Sequence, residues 1–237
     1  MAPSYFIWKN IDCRAMGCRL SGPVPIVRPE ERVEHVQIPG RSGDLTEIQG
    51  TDIYNSYIQT ATLLVMGGQH VREVYKWLRG SGYVTFSSEP DRKQAARIIG
   101  AITLNKHSHN LDWWTGEIQF YCQPLKQKLV SDTVTITSSG SAVLNLGDVI
   151  ARPRIEARAS DTSMTITAGG NTLTLTGTTS GTTYIIDSEV MEVTNAAGTT
   201  LLTKNSTGDF PMLSPGSNSI TGSGWNRLII DKRERYL

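Results

Sequence analysis

From about residue 131 to its end the chain is a succession of short alternating runs, many of them separated by turns that contain glycine or asparagine. That pattern admits few folds. In "MTITAGGNTLTLTG" two runs place apolar residues at every second position, which puts them on one face of a strand. The "AGGN" between them, residues 168 to 171, supplies the positive φ angles of a tight hairpin turn. "TVTI", "RIEARA", "TYIIDS", "EVMEVT", "TLLTK", "NSITG" and "NRLIIDKRE" repeat the theme, so this half is expected to be a β-sandwich. No repeat of fixed period emerges, and the abundant threonine is assigned to solvent-facing sides of strands.

The first half is richer in variety, and the change in composition sets the expected domains at 1–130 and 131–237. The connection is "QPLKQKLVSDT", in which Pro124 is expected to stop a strand and Lys126, Lys128, Ser131 and Asp132 to solvate the linker. "HVREVYKWL" predicts one helix, with Val71, Val74, Tyr75 and Leu78 on its apolar stripe, Arg72, Glu73 and Lys76 in solvent, and Gly80 just past its end. "WTGEIQFYC" predicts a strand whose Trp114, Gly116, Ile118, Phe120 and Cys122 share one face. Before it, "AARIIGAITL" reads as a strand ending at Leu104, followed by a polar loop over 105–112 and the return of a hairpin. The fold class that follows is mainly β.

With 23 Lys and Arg against 22 Asp and Glu, the formal charge of +1 leaves no basic field to hold nucleic acid by counterion release. Three cysteines, Cys13, Cys18 and Cys122, do not form a disulfide framework, which points to a reducing site of synthesis. No apolar run approaches the roughly 20 residues that span a bilayer, so a soluble chain is expected.

The segment "VQIPGRSGDLTEIQG", residues 36 to 50, lacks the G-x-x-x-x-G-K-[ST] pattern of a phosphate loop. Pro39, Gly40, Gly43 and Asp44 instead predict a tight connection between two strands. Arg41 is the residue that a turn does not require. It is either simply solvated or offered as a bidentate partner to a carboxylate of another chain. "HSH" at 107–109 with Asp112 is the nearest approach to a metal site, against the plainer reading of histidines in a polar loop. Cys13 and Cys18 lack a second pair for zinc and read as free thiols. "DTS" at 161–163 reads as a turn rather than half of a proton-sharing acid pair. Of the adjacent Trp113 and Trp114, alternation must turn one inward; with Trp225 they are candidates for a sugar-stacking or protein-binding surface. No nucleophile elbow, metalloprotease motif or framed acid pair is present, so neither an enzyme nor a cofactor is expected.

"VQIPGRSGDLTEIQGTDIYN", "WLRGSGYVTFSSEPDRKQAARI", "GEIQFYCQP", "LNLGDVIARPRIEA", "TYIIDSE" and "FPMLSPGSNSIT" occur in an order that resembles the distal tail protein (Dit) family of long, flexible-tailed bacteriophages. The likeness covers nearly the whole chain. It implies an N-terminal β domain with one helix and a long hairpin, assembling as a hexameric ring, and a C-terminal galectin-like β-sandwich pointing outward. It further implies a non-catalytic place at the virion tail tip. One ring face would meet the tail tube protein and the other a tail-tip or tail-associated lysin protein. DNA would pass through the lumen, and receptor-binding proteins would dock outside. Gly40, Arg41, Gly43 and Asp44 are then expected near a contact between subunits, although Ser42 stands where an acidic residue often follows the arginine. The alternative is a carbohydrate-binding sandwich that uses Trp225 and Tyr184.

Overall fold

The computed structural model describes residues 4–48, 50–107 and 111–237. The chain divides into two compact units, one of residues up to Leu129 together with Leu237, the other Val130–Tyr236.

The first unit contains β1 (Phe6–Trp8), β2 (Ile11–Asp12), β3 (Cys18–Leu20), β4 (Val33–Val36), β5 (Leu45–Ile48), β6 (Tyr57–Met66), β7 (Ser81–Phe86), β8 (Arg92–Ile99), β9 (Asn105–Lys106) and β10 (Trp113–Lys128), with one α-helix, α1 (Val71–Trp77). Its main sheet is antiparallel in the order β2-β1-β7-β8-β10-β6-β3, with β9 beside β10. The sheet curls toward closure, because the Leu20 amide on the open side of β3 donates to the carbonyl of Ser4, two residues before β1 (3.3 Å).

Alternation along β10 turns Ile118, Phe120 and Cys122 fully inward and leaves Glu117, Gln119 and Tyr121 outside, as the sequence predicts. Phe120 sits at the centre, its ring edge-on to Phe6, Trp8 and Phe86 at 5.5, 5.7 and 5.5 Å. Trp77 stacks on Phe6 and its Nε1 donates to the Trp8 carbonyl (3.2 Å), which ties α1 to β1. The helix therefore buries Val74 and Trp77, with Leu78 just past its end, whereas Tyr75, expected on the apolar stripe, is 39% exposed. Its hydroxyl accepts the Leu104 amide (3.2 Å), giving the ring a role over the 101–104 segment.

Two further expectations are corrected. β8 stops at Ile99 rather than Leu104, and part of the supposed polar loop is the short strand β9. Pro124 does not end a strand: β10 runs on to Lys128, with an irregularity in its pairing to β8 between Cys122 and Lys126. A bulge of that kind removes the need for the amide that proline lacks. Lys126 is consequently buried instead of solvating a linker, and its Nζ lies 2.7 Å from Glu89 Oε2.

The second unit is a β-sandwich. One sheet is β11 (Thr133–Ile136), β20 (Trp225–Asp231), β13 (Arg154–Ala159), β16 (Thr183–Asp187) and β17 (Glu192–Asn195) in that spatial order. The other is β12 (Ser141–Asn145), β19 (Gly216–Ser223), β14 (Ser163–Ala168), β15 (Asn171–Thr176) and β18 (Ser206–Gly208). Ile155, Ala157, Met164, Ile166, Leu173, Leu175, Ile186, Leu228 and Ile230 fill the space between them, as face-to-face packing requires. "AGGN" is the two-residue turn of β14–β15, with Gly169 and Gly170 at φ 59° and 83°. "TLLTK" is not a strand; it holds a bridge from Leu201 to Thr194 and then a 3-10 turn, Thr203–Asn205. "SAVLN", unread in the sequence, is β12.

Past β20, Lys232 and Glu234 are buried as an ion pair (2.6 Å). Lys232 also donates to the Leu144 carbonyl, and Glu234 accepts from the Leu146 amide and the Tyr236 hydroxyl. These bonds satisfy charges that would otherwise be expensive to bury.

Candidate self-association surface

The segment between β3 and β6 leaves the sheet as a two-stranded arm. Its root is an antiparallel bridge between Glu31 and Tyr54, flanked by bonds from the Arg32 amide to the Ile53 carbonyl (2.9 Å) and from the Asn55 amide to the Glu30 carbonyl (2.8 Å). Beyond it β4 pairs with β5 in the register Val33↔Ile48, Glu34↔Glu47, His35↔Thr46, Val36↔Leu45. The tip is an eight-residue loop, Gln37–Asp44, longer than the tight connection expected. Gly40 and Gly43 have φ 82° and 80°, and open space surrounds the position of a Cβ at each, so backbone conformation alone demands glycine there. The Arg41 amide donates to the Ile38 carbonyl (3.1 Å), and the Arg41 and Asp44 side chains project into solvent.

Every residue from Glu34 to Glu47 is exposed. Period-two alternation means that one face of the ribbon carries the Glu34–Glu47 and Val36–Leu45 pairs and the other carries His35 and Thr46; neither is covered. An isolated two-stranded ribbon is marginal in water. Glu34 and Glu47 stand directly opposite one another in this ribbon. Apolar side chains on the same arm, Val36, Ile38 and Leu45, are 37%, 40% and 37% exposed.

The other candidates disperse. Trp225 and Tyr184, which motivated a sugar site, are buried in the sandwich core: Trp225 Nε1 donates to the Thr165 carbonyl (3.1 Å), and the Tyr184 hydroxyl accepts the Thr179 amide (3.0 Å). Of the tryptophan pair, Trp114 packs on the core and Trp113 faces out. Asp112, the third ligand that an HSH metal site would need, instead accepts the Gly68 amide (2.6 Å) and Trp114 Nε1 (3.1 Å), bonds that hold its carboxyl below the usual range. Ser108 and His109 lie outside the described residues, among which no cluster of three or more metal-ligating side chains occurs. Asp161 makes a turn, its carboxylate accepting the Thr162 amide (2.7 Å). All three cysteines are free and buried; burial pushes the Cys18 and Cys122 thiols up to about 12, far from the thiolate that nucleophilic or metal chemistry needs. No helix among the described residues is long and apolar enough to cross a membrane.

No family model and no curated protein sequence matches the chain. Solved structures do. The crystal structure of SPP1 Dit superposes with a TM-score of 0.80 at 15% identity, covering 100% of both chains. The chain has the fold of SPP1 Dit. That protein is described as a paradigm of the hub adsorption apparatus in phages that infect Gram-positive bacteria. A component of the phage p2 baseplate, in its activated conformation with strontium, aligns at TM-score 0.49 and 11% identity over 97% of this chain and 98% of its own. In this Dit fold the resemblance seen in the sequence and the full-length superposition meet, since both cover the two units and the arm between β3 and β6.

Proposed function

We propose that this chain is a structural, non-catalytic component of a phage tail tip, and that its work is self-association into a closed hexameric ring. The first unit forms the ring and joins the tail tube protein on one face to a tail-tip or tail-associated lysin protein on the other. The lumen passes DNA without gripping it, consistent with the near-neutral charge of the whole chain. The sandwich serves as an outer platform for receptor-binding proteins. Arg41 and Asp44, held at the arm tip by Gly40 and Gly43, lie at or near the contact between copies.

The observation that carries this reading is the arm, a two-stranded ribbon exposed on both faces. Such a ribbon gains its missing burial from another molecule, and a heterologous contact repeated around an axis closes without leaving a free copy of the surface. The Dit fold supports the choice of assembly. The test is the native mass of the purified chain, with micrographs of the same sample. Six copies of 26.0 kDa give a ring of about 156 kDa. A strict monomer at every concentration, both alone and with the neighbouring tail proteins added, overturns the proposal.

A further inference from the structure

Outside its arm the first unit is strongly basic. With residues 30–55 set aside, the stretch from 4 to 129 holds 13 Lys and Arg against 6 Asp and Glu, a formal charge of +7 that the near-neutral whole chain conceals. Several of those carboxylates are already engaged. Asp12 pairs with Arg14, Glu89 with Arg92 and Lys126, and Asp112 accepts the Gly68 amide and the Trp114 indole. Neither Lys93 nor Arg97 of β8 forms an ion pair among the described residues.

Both stand on the side of the sheet turned away from Phe120. In one row across four strands the register sets Ser81 of β7, Arg97 of β8, Tyr121 of β10 and Ile58 of β6 side by side. Tyr83, two residues on along β7, pairs with Ala95 and joins Gly82 and Tyr121 around a shallow depression. Glycine and alanine keep its floor low, while Tyr83 and Tyr121, 46% and 40% exposed, rise from it. Lys93 Nζ sits 5.2 Å from the Tyr83 ring centroid, which places that cation on the same side. Ile58 is 54% exposed beside Tyr121. The face thus has a basic half on β8 and an apolar half on β10 and β6. The acidic residue of β10 is Glu117, four residues from Tyr121 and therefore about 13 Å away along the strand.

Resting on the tail-tip reading above for the kind of partner present, we infer that this face docks an extended acidic segment of another tail protein. A carboxylate of that segment meets Arg97 and Lys93, and a large apolar side chain covers Tyr121 and Ile58. Charge selects an anion, and the planar guanidinium of Arg97 suits a carboxylate in a two-pronged bond. The spacing agrees with an extended chain. The midpoint of the Tyr121–Ile58 pair lies one and a half strand spacings from Arg97, about 7 Å, and side chains two apart on an extended segment are separated by about the same distance. Nucleic acid fits less well, because a phosphate backbone offers repeated charge and nothing to cover Ile58. Tyrosine and arginine are also the residue types that carry much of the binding energy in protein contacts. The occupant is therefore a polypeptide.

The full-length chain tests this with a fluorescein-labelled peptide of repeating Glu-Ser-Leu-Ser, its Lys-Ser-Leu-Ser counterpart, and inorganic polyphosphate as competitor. Binding is read by anisotropy and folding by circular dichroism. The acidic peptide is expected to bind and the lysine peptide to be ignored. K93E with R97E is expected to weaken the acidic peptide about tenfold or more in dissociation constant and to admit the lysine peptide. I58S with Y121S is expected to weaken the acidic peptide by a similar factor while its dependence on salt is kept. Polyphosphate that displaces the acidic peptide as well as unlabelled peptide does, or an I58S with Y121S variant of unchanged affinity, reveals a diffuse basic field and overturns the inference. The native mass of the same samples separates this from the ring. A chain that assembles yet ignores the acidic peptide loses the docking face alone, and one that binds it but stays monomeric with the neighbouring tail proteins added loses the ring alone.

Discussion

Phe120 and Tyr121 are adjacent on β10, yet they should behave as different classes of residue. Phe120 is fully buried and meets three aromatic rings edge-on, so Phe120→Ala removes the side chain around which the first unit is packed. Truncation of a buried phenylalanine costs about 3–5 kcal/mol, and loss of three edge-to-face contacts places this one toward the upper end. For a unit of this size the unfolding entropy is about 0.27 kcal/mol/K, so a loss of about 4 kcal/mol lowers the melting temperature by about 15 °C. Tyr121→Ala, which removes an outward ring, should cost less than about 1 kcal/mol. Differential scanning calorimetry, run dilute enough to keep the chain monomeric, measures both, and the transition of the second unit supplies an internal control. A Phe120→Ala cost below about 2 kcal/mol, or a Tyr121→Ala cost equal to it, would refute the strand phase and the core built on it.

Other outcomes follow from particular groups. Gly116→Ala builds a Cβ about 2.1 Å from the backbone oxygen of Thr103, so the 101–104 segment must move; hydrogen exchange should rise there while the sandwich is unaffected. Glu234→Ala leaves the buried Lys232 ammonium with only the more distant Asp132 carboxylate (3.8 Å) and should destabilise the second unit by about 3 kcal/mol, whereas K232M with E234L should recover much of that loss; urea denaturation distinguishes them. Burial by itself would raise the Asp187 pKa, but the two bonds from Arg233 (2.7 and 2.9 Å) outweigh it and the folded value is lowered. The resulting stability is fully present above the unfolded carboxyl value, near 3.9, and is lost as pH falls through the folded one, so Arg233→Ala should flatten the acid limb of the stability profile below about pH 4. Cys18 and Cys122, with thiols pushed up to about 12, should resist a disulfide reagent at pH 8 until the first unit unfolds; rapid labelling of the native chain would contradict their burial.

What the sequence by itself determined is the local phase of its strands. Period-two alternation named the inward side of β10, and the Gly-Gly pair set the β14–β15 hairpin, because these properties depend on neighbours within a few residues. The ordered motifs likewise carried the resemblance that the superposition on SPP1 Dit matches in fold. Only the tertiary structure decided which side chains meet across long separations. Lys126 is buried because Glu89 lies beside it, and Trp225 is a core residue because its indole reaches Thr165, 60 residues away. The exposed state of the arm was equally beyond local reading. Its Val, Ile and Leu residues follow the same pattern as those of a covered strand, and burial depends on whether a second layer is present, which no periodicity records.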